Sequence, residues 1–235
     1  MIPYFFRGEY CMPRVTDDYY EKKRGEIIEA AYRVCTKKTI GSVDMKDIIE
    51  ETGFSHGVIY RYYRELDEVL LDLVSEINRK NKIDGMLESV LGNADFLDWK
   101  KIVADIFKML SDYMGEVGID VLKISLYSDM LAVSDPVRAA KIAERLGKGE
   151  DNPLGRVVFA LGKYLKKAAK ENGLKPSRTV DEIMQFVVAS YQGIQTAYVL
   201  SECYESSQLK NKYRPKKMFG CLAESVIAMM EGKNE

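Results

Sequence analysis

The sequence predicts an all-α fold, and three observations predict it. Apolar residues recur at helical spacing in almost every stretch. Alternation of the kind a half-buried strand needs, bounded by turn residues, is absent. The interruptions fall at glycine, asparagine and proline, which end helices. The first helix is predicted over 17–38, where Ile27, Ala31 and Val34 stand at i, i+4 and i+7 with Ile28 and Cys35 beside them. Asp44 then reads as an N-cap, with Asp47 three residues on as its capping-box partner. Ile48 and Ile49 give the short helix that follows its core contacts, and Gly53 stands where a left-handed C-cap is wanted. Ser55 can cap the next helix, which carries Val58, Ile59, Tyr60, Tyr62 and Tyr63. A connector helix at about 66–82 has Val69, Leu70, Leu73, Val74 and Ile77 on one face. Six more helices are predicted over 96–116, 118–133, 136–147, 153–172, 178–204 and 215–231. The breaks before and between them fall at Gly92-Asn93, Asp135-Pro136, Asn152-Pro153, Gly173 to Pro176 and Arg214-Pro215.

The 235 residues suffice for one large or two modest domains, and 46% hydrophobic with 30% charged residues is a globular balance rather than a disordered one. No apolar run approaches the roughly 18 residues of a membrane span. Arg7, Gly8 and Glu9 interrupt the apolar start too soon for a secretory signal core, so a cytoplasmic location is expected. A net charge of -1 gives no bulk attraction for nucleic acid, and any such binding needs a local basic surface. Cys11, Cys35, Cys203 and Cys221 are scattered without a CxxC pair and are expected to be free thiols. His56 is the sole histidine, which leaves neither a zinc-ligand set nor a partnered catalytic base. No metal, cofactor or catalytic residue is expected, and the chain is not read as an enzyme. Residues 1–16 read as an N-terminal extension, 17–65 as one domain and 66–235 as a second; Met12-Pro13-Arg14 looks a more natural start than Met1.

The stretch from Asp44 to Tyr63 suits a helix-turn-helix. Two short helices crossing at a steep angle demand a tight turn, which Gly53 allows and Phe54 can plug. Gly57, near the start of the second helix, lets the backbone approach base edges closely. Ser55 and its neighbouring N–H groups can hold a phosphate, Tyr60 and Tyr62 offer hydroxyls, and Arg61 and Arg64 add local positive charge. His56 suits a base or phosphate contact at the helix start better than catalysis. Lys22-Lys23-Arg24 reads equally as a solvated helix face or as a track along a DNA backbone.

These residues resemble the signature of the TetR family of one-component regulators, which runs roughly Thr-x-x-x-Ile-Ala, then Ala-Gly-Val-Ser-x-Gly-x-Leu-Tyr-x-Tyr-Phe. Ile48 and Ile49 take the Ile-Ala positions, Thr52 to Ser55 stand for Ala-Gly-Val-Ser, and Gly57, Ile59, Tyr60, Tyr62 and Tyr63 follow in register. The resemblance covers residues 21–75. It implies a helix-turn-helix DNA-binding domain joined by a connector helix to a C-terminal ligand-binding and dimerisation bundle. Lys46, His56, Gly57 and Val58 would face bases, and Ser55, Tyr60 and Tyr62 would hold phosphates. The implied protein is a ligand-responsive homodimeric transcriptional regulator. It is expected to be a repressor on a palindromic double-stranded DNA operator, released by a small, largely apolar effector. The dimer interface is expected on Ile183, Val187, Ile194 and Tyr198 of one helix and Phe219, Leu222, Val226 and Met229 of the other. The effector is expected among Phe107, Met114, Leu126, Tyr127, Met130, Phe159, Tyr164 and Tyr191, with Asp129 or Gln195 able to orient a polar group. Three positions depart from the family. Thr39 stands for a helix-ending Gly, Asp44 for a phosphate-touching Thr, and Leu66 for a Lys that opens the connector helix. Asp44 and Leu66 motivate the alternative of an all-helical ligand-binding or adaptor protein with lost or weak DNA binding.

Overall fold

The computed structural model describes residues 17–92, 98–146, 153–203 and 213–232, all helices and short connections with no strand among them. The helices are α1 (Asp17–Lys37), α2 (Met45–Thr52), α3 (His56–Tyr62), α4 (Leu66–Lys80), α5 (Ile83–Leu91), α6 (Trp99–Val117), α7 (Ile119–Ser134), α8 (Pro136–Leu146), α9 (Pro153–Glu171), α10 (Val180–Cys203) and α11 (Pro215–Glu231), with a 3₁₀ turn at Ile40–Ser42. The extension over 1–16 lies outside the described residues. No helix of the described residues is long and apolar enough to cross a membrane.

Local signals account for several helix ends. The Asp44 carboxylate accepts from the Asp47 amide, and the Asp47 carboxylate accepts from the Asp44 amide, each at 3.0 Å. This reciprocal box satisfies two donors at the start of α2. Gly53 closes α2 at φ 68°, where only glycine is unstrained. Pro136, Pro153 and Pro215 open α8, α9 and α11, positions where a missing N–H costs nothing. Helix α5 is a correction to the sequence reading, which had no helix there. It is only nine residues long with Gly85 inside it. It is set up by Asn81, whose side-chain oxygen accepts from the Ile83 amide at 2.9 Å once α4 has ended.

Two apolar cores organise the chain. The N-terminal core takes Ile27, Ala31, Val34 and Cys35 from α1, Ile48 and Ile49 from α2, Ile59 from α3, and Val69, Leu70 and Leu73 from α4. It is closed by Ile124 and Leu131 of α7, so the three-helix head does not bury itself alone. Burying each such Ile, Leu or Val side chain contributes about 1.5–3 kcal/mol. The second core joins α5, α6, α9, α10 and α11, with Leu122 of α7. Cys35 is a buried free thiol, and burial pushes it up to about 11; Cys203 and Cys221 are free and exposed rather than packed inside. Cys11 lies outside the described residues.

Candidate nucleic-acid interface and ligand cleft

Helix α3 exposes the face that the sequence singled out. Lys46, Ser55, His56, Gly57, Tyr60, Arg61 and Arg64 are exposed, and Val58 is half-buried. Ser55 occupies the N-cap position of α3, but its hydroxyl makes no cap bond. A Cβ built on Gly57 would meet nothing within 4 Å, so the chain's own packing does not require glycine there. Tyr62 is partly engaged elsewhere: its ring stacks on Tyr20 of α1 with centroids 4.6 Å apart. Phe54 is half-buried against the N-terminal core, with the Lys23 ammonium 4.4 Å from its ring centroid.

Charge pairing divides the basic residues into two groups. Arg33 and Lys37 of α1 bind Glu51, and Lys38 binds Asp47, so they neutralise the acids of α2. Lys23 binds Glu26 at 2.7 Å. Arg24 does not track outward: it holds Asp72 of α4 at 2.7 Å, and the Tyr63 hydroxyl donates to the same carboxylate at 2.7 Å. Tyr63 is buried at the end of α3, so this triad ties α1, α3 and α4 together. Burial, and then the Asp72 carboxylate, push the Tyr63 phenol upward. Lys22, Lys46, Arg61 and Arg64 form no ion pair with any described residue, which leaves their charge for a partner. Leu66 packs against the N-terminal core, which accounts for an apolar residue at the start of α4.

A cleft of about 650 Å³ lies between α4, α7, α8 and α10. Leu70, Leu73, Ile124 and Leu131 line it and also belong to the N-terminal core, so the floor of the cleft is the back of the N-terminal head. Ala139 and Ile142 of α8 border both. Of the eight predicted effector contacts only Tyr191 lines this cleft. Phe107 and Met114 are sealed in the second core, Leu126 and Tyr164 pack against that core, and Tyr127 packs against the N-terminal one. Met130 and Phe159 are 50% and 60% exposed on the surface. Asp129 and Gln195 do line the cleft. A larger groove of about 940 Å³ runs between α1, α4 and the α6–α7 junction. Charged side chains line it, several paired with one another as in Arg24–Asp72 and Arg79–Glu76, so it is a solvated seam rather than an apolar site.

The predicted dimer stripes face inward in the single chain. Ile183, Val187, Ile194, Phe219, Leu222 and Val226 are buried in the second core, with Tyr198 and Met229 packed against it. Another face of α10 is left open, with Phe186 and Leu200 exposed on it. Exposed Gly193 lies between them, with nothing within 4 Å of a Cβ built on it.

Sequence reasoning missed the ties between the head and the bundle. Arg138 of α8 donates from Nε and Nη2 to Asp67 of α4 at 2.8 and 2.6 Å. Arg145 donates to Glu65 at 3.0 Å. Partners 71 and 80 positions apart leave no local signal. Among the described residues no three His, Cys, Asp or Glu side chains gather as metal ligands.

The fold and exposed second helix define a helix-turn-helix protein with a C-terminal helical bundle. Residues 27–73 match the family described as bacterial regulatory proteins, tetR family. It is 37% identical over 62 residues to the uncharacterized HTH-type transcriptional regulator YfiR of Bacillus subtilis, covering 26% of this chain and 30% of that protein. It is 22% identical over 106 residues to the HTH-type transcriptional repressor Rv1474c of Mycobacterium tuberculosis, covering 42% of this chain and 57% of that one. The matched stretches thus span less than two thirds of either relative. The solved structure of the transcriptional regulator FadR from Bacillus subtilis in complex with stearoyl-CoA superposes with a TM-score of 0.55 at 15% identity, over 89% of this chain and 99% of that one. At that identity the likeness is one of fold.

Proposed function

We propose that the chain is a ligand-responsive DNA-binding transcriptional regulator that represses as a homodimer on a palindromic operator. One observation carries the DNA reading: Lys46, His56, Gly57, Arg61 and Arg64 are exposed along one motif, and the three cations form no ion pair among the described residues while neighbouring basic residues are paired. Residues 17–65 would grip DNA, with Lys46, His56, Gly57 and Val58 facing bases. Ser55, Tyr60, Tyr62, Arg61 and Arg64 would hold the backbone, where contacts fix register rather than sequence. A dimer supplies the two recognition helices that paired half-sites need. The exposed face of α10 supports its interface, because Gly193 allows close helix approach between Phe186 and Leu200. Repression is supported by the name of the Mycobacterium tuberculosis relative, and a small effector by the ligand held by the FadR structure.

Residues 66–235 would sense that effector in the cleft. A ligand there touches α4 and α8 together, and Arg138–Asp67 and Arg145–Glu65 join those helices just after α3. Ligand would favour a state whose recognition helices no longer fit adjacent grooves, a coupling typically of about 1–3 kcal/mol. Exposed Asp44, a carboxylate beside the DNA-facing motif, supports the second reading of an adaptor with weak DNA binding. Mobility shift on DNA flanking the gene separates the two. The regulator predicts a discrete complex weakened by His56→Ala and Tyr60→Phe, and the adaptor predicts none.

A further inference from the structure

We propose that the cleft between α4, α7, α8 and α10 selects an amphipathic cation, an apolar body carrying an amine or quaternary ammonium head that seats against Asp129. This rests on the reading of that cleft as the effector site. The walls supply the apolar half of the recognition through Leu73, Ile77, Ile142 and Leu154. The polar half has one sign. Among the described lining residues Asp129 is the only carboxylate, and none is lysine, arginine or histidine. Asp129 makes no hydrogen bond or ion pair with any described residue. Solvent still reaches it through the cleft mouth, but the surrounding walls push its carboxyl above the ordinary value, because its charge loses hydration and gains no partner.

A second observation points into the same space. Gln195 is only 8% exposed, lines the cleft, and has no hydrogen-bond partner among the described residues. Tyr191, one turn earlier on α10, is likewise buried and without a hydrogen-bond partner for its hydroxyl. Yet among the described residues no fully buried side-chain nitrogen or oxygen lacks a partner, so the polar ends of both residues are open to the cleft. Buried polar groups of this kind are ordinarily satisfied, and the missing partner is then a water or a ligand. An anionic head would meet the Asp129 charge with no compensating cation among the described lining residues. A cationic head would relieve the desolvation that Asp129 already bears.

The test is calorimetric titration of the full chain with three probes of one length: decyltrimethylammonium, 1-decanol and decanoate, each below its micellar concentration. The expected result is binding of the cation at least tenfold more tightly than of decanoate. In Asp129→Asn that ratio collapses toward one while the affinity for decanol holds. Ala143→Trp, which fills the cleft from α8, should abolish binding of all three. Decanoate binding as tightly as the cation, or a cation preference that survives Asp129→Asn, overturns the ligand class and leaves the effector cleft standing. Binding of none of the probes, or binding that survives Ala143→Trp, overturns the cleft reading itself and this inference with it.

Discussion

Replacing Gly57 with alanine separates the two roles a helical glycine can play. The added methyl would meet no atom of the chain within 4 Å, and Gly57 lies within the right-handed helix α3, so it brings no backbone strain. Glycine in a helix is destabilising by roughly 0.5–1 kcal/mol relative to alanine, so the variant should be as stable as the parent or slightly more so. The DNA side of the ledger runs the other way. A methyl at the exposed start of α3 holds the backbone off the base edges, and one lost base contact is worth about 1–3 kcal/mol. A dimer loses it twice, so operator binding should weaken by at least about 2 kcal/mol, roughly thirtyfold. Thermal unfolding and fluorescence anisotropy on the same preparation read both effects. Unchanged operator affinity would refute close approach at Gly57, and a clear fall in melting temperature would mean the glycine serves the fold.

Three further outcomes are expected. Arg138→Ala removes the bidentate tie between α8 and α4, a partly exposed pair worth about 0.5–1 kcal/mol after screening. It should leave ligand affinity intact while shrinking the effect of ligand on operator affinity, measured by titrating DNA with and without saturating ligand. Gly193→Leu should turn the dimer into a monomer by light scattering with its helical circular dichroism unchanged; a persisting dimer would move the interface off this face of α10. The Lys38 ammonium, and then the Asp44 amide, hold the Asp47 carboxylate below its ordinary 3.8. The stability contributed by its ionised form is therefore in place above about pH 4 and is lost as pH falls through the depressed value. Asp47→Asn should melt earlier than the parent at neutral pH, and that gap should close on acidification in a circular-dichroism titration.

The parts of the molecule governed by near neighbours were legible in the sequence. Asp44 with Asp47, Gly53, and the prolines that open α8, α9 and α11 each act within a few residues, and the helix-turn-helix follows from them. Helix α5 was not legible, because nine residues with an internal glycine carry too little periodicity. The lining of the cleft was not legible for a different reason. Methionine and aromatic side chains fill cores and clefts alike, and only packing decides that Tyr191 meets the cleft while Phe107 and Met114 are sealed away. On α10 apolar residues lie on two faces. The more regular stripe, Ile183, Val187 and Ile194, serves the chain's own core, and Phe186 and Leu200 are left exposed on another face. The Arg24–Asp72–Tyr63 and Arg138–Asp67 ties join distant positions and exist only in the folded chain.

The central claim, that α3 reads a specific DNA site, is tested most directly by competition binding at several salt concentrations. A labelled fragment from beside the gene is titrated against excess unrelated DNA. The account predicts a specific complex whose preference over unrelated DNA falls in His56→Ala with little change in salt slope. In Arg61→Ala, affinity should fall for all sequences and the slope should drop by about one per lost phosphate contact. Equal affinity for the fragment and for unrelated DNA, or a preference untouched by His56→Ala, would contradict it.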